Sequence, residues 1–539
     1  MAAEKYFVIG IGGTGMRCIE AFTHLCAIGM FDNKEIDILS IDTDTNNGNK
    51  DRSEQLIDRY IRIKGGASGK PTANSFFTAK LNIYKFAPEY SGNRLTYELI
   101  SELNDGTADE KKDNKALSDL FFDDDVQKFK LDHGYRAQTH LGSHLMYHCI
   151  VEAARNVSKG GKRKEDLELA AFLDKIYQAG ENARVFILGS IFGGTGASAI
   201  PIIPKALKDA VRIKDKNAEI HPNAKFGCSL LSDYFKFNVP DGAQKKEQKV
   251  IADSNNFSRN SQAALMFYQA DSTVKATYKL MYHIGWPQRV DFSVGDISTK
   301  TITGGGEQKN PCHIAELLCA CSVYDFFNRN DGLDQHDILY KSANFPNNSF
   351  SFEFQDFFGT NTYKEFMNRL GAFLSFSHIL INYEKGGDGQ NGADNLVKQF
   401  ARFSVPDYVN LLKTDAEDID EYVKQFAFNY DKGKIIPGWL MQITSSVGGE
   451  LLFNKDALIN DKAQLSKFDI GELFKDSRYH FKYGLREKLQ GPYDKFRNTL
   501  QSDSSVRPSS EKQKVISLNE RFLAHTYNTL TKLYNINGN

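Results

Sequence analysis

The sequence has few of the features that would place a protein outside the ordinary globular class. No run of apolar residues approaches the roughly 18 that a membrane-spanning helix needs. Lys and Arg together number 67 against 68 Asp and Glu, so no excess of one sign exists to attract a nucleic-acid backbone or an anionic membrane. The first residues, MAAEK, lack the basic region of a secretory signal. We therefore expect a cytoplasmic protein with no membrane span and no nucleic-acid partner.

Cysteines and two familiar catalytic signatures are also scarce or missing. The seven cysteines form neither a disulfide framework nor paired C-x-x-C motifs, so a disulfide scaffold and a four-cysteine zinc site are excluded. Neither glycine-rich loop described below carries the Gly-Lys-Ser/Thr of a P-loop, and no Gly-x-Ser-x-Gly nucleophile elbow exists. What is present is a composition with 41% hydrophobic and 25% charged residues, which over 539 residues predicts two or more packed units.

The first feature with chemical meaning is a glycine-rich turn near the N-terminus. An apolar strand over 6–9 leads into a G-x-G-x-x-G motif formed by Gly10, Gly12 and Gly15, and a helical pattern follows. A second buried strand, Ile36–Ile41, ends at Asp42 and completes a β-α-β unit. Glycines allow a close backbone approach to an anion, and the helix start offers unpaired N–H groups. The motif predicts phosphate binding, of either a dinucleotide or a nucleoside triphosphate.

The same strand, glycine loop and helix arrangement occurs a second time. A continuous apolar strand over 185–191 precedes the loop 192–198, and the residues that follow predict a helix over 199–210 and a strand over 225–231. A dinucleotide site needs one such loop, whereas two loops facing one ligand favour a nucleoside triphosphate. Further along, the apolar density of 311–327 predicts a helix in the centre of the structure, and 363–383, 422–430 and 517–534 have helical patterns.

These elements define the expected architecture. We predict an α/β fold with a doubly wound, mostly parallel sheet and the central helix 311–327 within residues 1–330. Residues 331–539 are expected to form a second, helix-rich α+β region.

The order of these motifs resembles the tubulin/FtsZ superfamily, and within it the divergent bacterial tubulin-like proteins, over roughly residues 6–330. The resemblance implies that the protein binds GTP or GDP with Mg²⁺. It also implies that the loop after the second strand, Asp42-Thr43-Asp44, lies near the terminal phosphate, with Asp42 in place of the family's Asn. The residues that it places at the nucleotide are Gly10, Gly12, Gly13, Thr14, Gly15, Asp42, Thr43, Asp44, Gly193, Gly194, Thr195, Gly196, Ala197 and Ser198. The flanking Phe192 and Ser198 depart from the family's glycine-rich signature.

Three further correspondences complete the expected site. The loop from Arg136 to Gly142 resembles the one that contacts the γ-phosphate, and Asn260 resembles a position near ribose and base. Glu316, on the central helix, stands where the family reads guanine, and a carboxylate can accept from both guanine N1–H and the exocyclic amine. The alternative for Glu316 is a helix carboxylate paired to a lysine.

The resemblance also implies assembly and turnover. In the family an acidic loop after the central helix enters the next subunit's site and positions the attacking water, and Asp331 and Asp334 match its Asp-x-x-Asp spacing. The expected protein associates head to tail with itself, as an oligomer or filament, and hydrolyses GTP in trans. The alternative for this segment is an acidic surface turn, and the C-terminal region is available for other protein partners.

Two other functions stay open on the sequence alone. One is a Rossmann-type NAD(P)-binding enzyme or sensor, with pyrophosphate at the first glycine loop and ribose at Asp42. The other is a tubulin-like scaffold that does not polymerise, within a larger bacterial assembly such as a defence complex. His140, His144 and His148 would share one helix face, but no carboxylate or nucleophile accompanies them at matching spacing, so a packed or half-exposed face is favoured over zinc. We assign no metal-ligating side chains.

Overall fold

A computed structural model shows how the chain folds. It describes residues 3–44, 46–88, 96–97, 107–131, 134–237, 250, 252–286, 289–291, 306, 308–330, 333, 337–342, 355–383, 413–431, 434–446, 492–508 and 517–533. Statements about structure below refer to these ranges.

Within the described residues, the strands form one large sheet and two small ones. In chain order they are β1 (Lys5–Ile11), β2 (Glu35–Ile41), β3 (Lys80–Phe86), β4 (Ala183–Ser190), β5 (Lys225–Leu231), β6 (Phe235–Lys236), β7 (Tyr278–Gly285), β8 (Val290–Asp291), β9 (Asp337–Ser342), β10 (Phe428–Asp431) and β11 (Lys434–Pro437). The large sheet has the order β3-β2-β1-β4-β5-β7-β9. Every neighbouring pair in it is parallel. The predicted α/β sheet is confirmed, and it is parallel throughout its described strands.

Helices connect these strands and cover the sheet. In chain order, within the described ranges, they are α1 (Gly12–Ala27), α2 (Gly48–Ile63), α3 (Ala108–Phe121), α4 (Asp124–Lys128), α5 (Thr139–Ser158), α6 (Lys164–Ala179), α7 (Thr195–Ala199), α8 (Ile203–Lys214), α9 (Phe257–Ala270), α10 (Ser272–Thr277), α11 (Ile314–Asn328), α12 (Gln355–His378), α13 (Lys413–Phe426), α14 (Trp439–Ser445), α15 (Pro492–Ser502) and α16 (Leu518–Leu533). A π-helical turn, Ile379–Tyr383, continues α12.

Both faces of the sheet are buried. Successive residues of β1 alternate between two apolar clusters, with Val8 in one and Phe7 and Ile9 in the other. Helices α1, α2 and α11 contribute to the first cluster, and α5, α6 and α8 to the second. Strand β4 is buried along its whole length, which is why its sequence, ARVFILGS, has no polar alternation. Helices on both faces of a parallel sheet are the arrangement of a doubly wound fold.

Several predicted elements have different limits in the structure. The helix predicted over 199–210 is interrupted, because α7 ends at Ala199 and α8 begins at Ile203, with Pro201 between them removing a backbone donor. The central helix α11 is apolar on all sides, as a core helix should be. It begins three residues later than predicted, where His313 caps its first turn. The helix predicted over 422–430 ends at Phe426 and gives way to the β10–β11 hairpin.

The described C-terminal elements pack on the sheet through α1 and α11. Phe373 of α12, Tyr422 of α13 and Trp439 of α14 belong to the same apolar cluster as α1 and α11. The predicted division near residue 330 stays a prediction. No helix in the described part of the chain is long and apolar enough to span a membrane.

Candidate functional site

A crevice lies at the carboxyl ends of the central strands. The chain leaves β1 towards β2 on one side, whereas β4 and β5 continue the sheet on the other, so the strand order reverses beside β1. Open parallel sheets bind ligands at such a switch point. The crevice has an empty volume of about 740 Å³, including the part open to solvent. Its lining is Ile11, Gly12, Gly13, Thr14, Asp42, Asp44, Asn47, Gly134, Tyr135, Arg136, Ala137, Ser190, Phe192, Gly193, Gly194, Thr195, Gly196, Phe235, Phe237, Ala252, Phe257 and Gln308.

The first glycine loop forms one wall of the crevice. Helix α1 begins at Gly12, and no side chain caps the backbone N–H groups of its first turn. Gly12 has φ +66°, a backbone conformation that favours glycine. Gly15 is required for a different reason, because a Cβ there would lie 2.5 Å from the carbonyl oxygen of Leu188 on β4. Gly10 is buried against Ile19 of α1 and does not line the crevice, so it packs the helix onto the strand.

The second glycine loop faces the first. Gly193, Gly194, Thr195 and Gly196 line the crevice as predicted from the motif order. Ser198 does not, because its hydroxyl donates to the carbonyl of Gly194. Ala197 is likewise buried and outside the lining. The loop therefore presents its first half to the crevice and uses its second half to begin α7.

The acidic loop after β2 contains buried oxygen atoms without hydrogen-bond partners. Asp42 is 2% exposed, and its Oδ1 accepts from the backbone N–H of Asp44 at 3.1 Å. Among the described residues, Asp42 Oδ2 and Thr43 Oγ1 have no hydrogen-bond partner. Burial, with a smaller contribution from the charge of Asp44, raises the pKa of Asp42 to about 7. Burying a charged carboxylate oxygen without a partner is unfavourable, and a bound cation would compensate this charge.

The loop 134–137 has a strained backbone and lies in space between the acidic loop and the second glycine loop. A Cβ placed on Gly134 would lie 3.5 Å from both Thr43 Oγ1 and Thr195 Oγ1, so the two hydroxyls approach one point. Arg136 and Ala137 have φ +45° and +65°, which is uncommon for residues with side chains. Consecutive residues in this region mark a conformation that the surrounding structure imposes.

The other predicted members of this loop have different roles. Arg136 lines the crevice, and its Nη1 donates to the carbonyl of Val250 at 3.1 Å. Gly142 lies on α5 outside the crevice, where a Cβ would lie 2.2 Å from Ser198 Oγ. Its role is the close packing of α5 on α7.

An aromatic wall that the sequence analysis did not identify closes the other end. Phe192, Phe235, Phe237 and Phe257 line it, and the Phe192 and Phe257 ring centroids are 4.9 Å apart. The YFKF run over 234–237, two residues after β5, is the signal that could have revealed Phe235 and Phe237. Asn260 supports the wall from behind, because its Nδ2 donates to the carbonyl of Phe192 at 3.2 Å and it is not part of the lining.

Gln308 and Asn47 close the crevice above the first glycine loop. Asn47 Nδ2 donates to Gln308 Oε1 at 2.6 Å, while Asn47 Oδ1 caps the first turn of α2. No local sequence motif marks this contact, because 261 residues separate the two side chains.

Glu316 lies away from the crevice, contrary to expectation. It is fully buried, its Oε1 lies 2.5 Å from Arg17 Nη2, and the Tyr234 hydroxyl donates to it at 2.5 Å. Its Oε2 accepts the N–H of His313 at 3.0 Å in a capping box. Burial raises the pKa of Glu316, and Arg17 opposes the shift. The carboxylate is thus paired, to an arginine rather than a lysine, and does not face a base in this structure.

The acidic turn expected to act in trans, with Asp331 and Asp334, lies outside the described residues. The preceding Asn328 ends α11, and its Nδ2 donates to the carbonyl of Tyr324 at 2.8 Å.

Comparisons of this chain with protein-family models, with curated proteins and with solved structures find no match.

Proposed function

We propose that the crevice binds a nucleoside triphosphate, GTP by the resemblance to the tubulin/FtsZ superfamily, together with Mg²⁺. The observation that carries the proposal is the meeting of three loops, from the ends of β1, β2 and β4, around one crevice. Two of these loops are rich in glycine, and the third lines the crevice with Asp42 and Asp44, while Thr43 between them is buried outside the lining.

The phosphates fit the two glycine loops. The uncapped start of α1, a helix of 16 residues, offers backbone N–H groups and the positive end of the helix dipole. Gly12 and Gly13 place no side chain between these groups and the crevice. Gly193 and Gly194 do the same on the opposite side, so a chain of phosphates can contact backbone on both flanks.

The residues of the acidic loop fit a magnesium ion. Asp42 Oδ2 and Thr43 Oγ1 are oxygen atoms, the ligand type that Mg²⁺ prefers, and neither has a partner among the described residues. When bound, Mg²⁺ supplies positive charge that neutralises phosphate oxygens. Asp42 and Thr43 would hold it directly or through water, and Thr195 would contribute from the second glycine loop.

The base fits the aromatic wall. The ring of Phe237 is partly exposed at this wall and those of Phe192, Phe235 and Phe257 are 6% exposed or less, so a purine would stack on the wall mainly at Phe237. Stacking accepts any base, so the preference for GTP rests on the resemblance and not on a contact with Glu316.

An NAD(P) site is the second candidate, because Asp42 follows β2, where dinucleotide-binding proteins hold the ribose. The strand order beside β1 is common to both alternatives. The triphosphate is favoured because the second glycine loop lines the same crevice. Mass spectrometry of nucleotide released from the purified protein tests this choice. GTP or GDP supports the proposal, whereas NAD(P) as the bound species refutes it.

Assembly and turnover form a separate part of the proposal. We propose that subunits associate head to tail and that Asp331 or Asp334 completes the neighbour's site. Specific GTPase activity should then rise with protein concentration and fall in Asp331→Ala or Asp334→Ala, while GTP binding persists. Hydrolysis independent of concentration and of both aspartates would refute the in-trans mechanism. GTP binding without any hydrolysis would favour the non-polymerising scaffold.

A further inference from the structure

Two histidines of α5 lie side by side on an exposed part of the surface, apart from the crevice. His144 and His148 are one helical turn apart, and their Nε2 atoms are separated by 2.9 Å. Both residues are exposed. Their rings lie with centroids 4.5 Å apart and nearly perpendicular planes. Nothing in the proposed nucleotide site uses this pair.

The hydrogen bonds around His144 determine which of its nitrogens carries the proton. Ser118 Oγ donates its one proton to the carbonyl of Asn114 at 2.9 Å. Ser118 must therefore accept in its 3.1 Å contact with the Tyr97 hydroxyl, which donates to it. The Tyr97 oxygen is left to accept at 3.1 Å from Nδ1 of His144. His144 consequently has its proton on Nδ1 and a lone pair on Nε2.

This tautomer is the one that binds metal ions through Nε2. Metal-binding histidines generally donate their other ring N–H to an oxygen, which fixes the ring and makes the ligand more basic. The hydroxyl of Tyr97, a residue that is 3% exposed, supplies that oxygen here. In the absence of metal, His148 Nε2–H can donate to the His144 lone pair. Metal binding needs the His148 proton on Nδ1, a tautomer change that releases no proton.

One metal ion can bridge the two imidazoles. With metal–nitrogen bonds of about 2.05 Å, nitrogens about 2.9 Å apart subtend about 90° at a metal and nitrogens about 3.3 Å apart a tetrahedral angle, and the hydrogen-bonded pair is close to both separations. Among the divalent first-row ions, Cu²⁺ binds a given set of nitrogen ligands most tightly. We propose that His144 and His148 form a two-imidazole site for a divalent transition-metal ion, Cu²⁺ in particular, whose other positions are filled by water.

A further observation agrees with a site that binds its ion reversibly. In the described ranges no group of three or more His, Cys, Asp and Glu side chains is arranged to hold a metal, so the pair is not part of a closed structural centre.

The test is a titration of the metal-free, untagged full chain with CuCl₂, followed by calorimetry and by the nitrogen couplings in electron paramagnetic resonance. We expect one ion bound by two imidazoles, with affinity falling on the order of a hundred-fold in His144→Gln or His148→Gln, because each removes one of two linked ligands. Tyr97→Phe should weaken binding about ten-fold, since it removes the partner of Nδ1.

His140→Gln is the matched control. His140 lies on the same helix face, but its ring stacks on Phe122 with centroids 5.3 Å apart. Its replacement should change the Cu²⁺ affinity by less than about two-fold relative to the unaltered protein. Circular dichroism should show that all variants keep the helical content of the unaltered protein. Equal affinity in His144→Gln, His148→Gln and the unaltered protein would overturn the proposal. Tighter binding of Zn²⁺ than of Cu²⁺ would overturn the assignment to Cu²⁺.

Discussion

Asp42 is the residue whose chemistry is most affected by its place in the fold. Its carboxyl is 2% exposed, it has one oxygen without a partner among the described residues, and its pKa is raised to about 7. A carboxyl with a raised pKa binds more protons in the folded state than in the unfolded state between its two pKa values. The free energy of unfolding therefore falls as pH rises from about 4 to about 7 and then levels off.

Asp42→Asn should remove this pH dependence while keeping the oxygen that accepts from Asp44. From pH 4 to pH 8, the unfolding free energy of the variant minus that of the unaltered protein should increase by up to about 4 kcal/mol, which corresponds to a pKa shift of about three units. Urea unfolding of both proteins without nucleotide, at a series of pH values, measures this difference. A constant difference across the series would show that Asp42 is not the titrating group. Mg²⁺ should no longer strengthen nucleotide binding in the variant.

Glu316 gives a second test on the scale of one residue. Glu316→Ala leaves the Arg17 guanidinium buried without its partner, and should lower the unfolding free energy by about 3–5 kcal/mol. Glu421→Ala is a suitable control, because Glu421 is paired with Lys424 at an exposed helix surface, where loss of the pair costs less than about 1 kcal/mol. Denaturant unfolding measures both values.

The more conservative Glu316→Gln separates this structural role from base recognition. It should leave the ratio of GTP and ATP affinities unchanged, because Glu316 does not line the crevice. A loss of GTP preference would show that the carboxylate reaches the base.

On the scale of elements, the site depends on two loops pressed together. Gly194 lies against the strained 134–137 loop, and a Cβ on it would lie 2.9 Å from the backbone nitrogen of Ala137. A Cβ on the neighbouring Gly193 would have its nearest contact at 3.4 Å, with Ser190 Oγ. The two adjacent glycines therefore differ in how much space they have.

We expect Gly194→Ala to lower the unfolding free energy by about 1–3 kcal/mol, as overpacking does, and to weaken nucleotide binding by displacing the 134–137 loop. Gly193→Ala should change the unfolding free energy by less than about 0.5 kcal/mol. Thermal and denaturant unfolding of the pair tests this. Equal stability of the two variants would mean that the loops are not in close contact.

Local sequence patterns predicted which strands and loops form the site. They did not predict which residues of those loops face the crevice. The two glycine loops and Asp42 follow buried apolar strands, and parallel strands bring their carboxyl ends to one edge of the sheet, so these residues meet in the crevice. The same patterns could not distinguish glycines that approach a ligand from those that allow packing. Gly10 and Gly142 fit against Ile19 and Ser198, contacts that depend on the tertiary structure.

Other parts of the site depend on distant segments. Gln308 meets Asn47 across 261 residues, and the charge of Glu316 is compensated by Arg17, 299 positions earlier in the chain, so no local pattern marks either contact. The aromatic wall was missed because a run such as YFKF is equally typical of a core strand.

On the scale of the whole molecule, the C-terminal elements share their core with the first helix. His24 of α1 stacks on Trp439 of α14 with centroids 4.6 Å apart, and the Tyr422 hydroxyl contacts His24 Nδ1 at 3.2 Å. Arg369 of α12 forms an ion pair with Asp32 at 3.0 Å, just beyond α1. These contacts predict that the parallel-sheet part and the C-terminal elements unfold together.

Trp439→Ala should lower the unfolding free energy by about 3–5 kcal/mol while calorimetry still shows one transition. Ile436→Ala, in the adjacent hairpin, is the control, because its side chain is 46% exposed and its loss should have only a small effect. Two separate transitions, with the nucleotide-stabilised one unaffected by Trp439→Ala, would contradict this coupling.

We propose that the glycine loops and Asp42 bind a nucleoside triphosphate in the crevice, and calorimetric titration of nucleotide-free protein with GTP measures this binding. One site per chain and tighter binding with Mg²⁺ are expected. Binding should be lost in Gly13→Val, because a Cβ at this position already lies 3.0 Å from Asn47 Nδ2 and the larger side chain narrows the crevice at the first glycine loop. Circular dichroism should show that the variant is folded. Equal GTP affinity in the unaltered protein and a folded Gly13→Val protein would refute a nucleotide site at this loop.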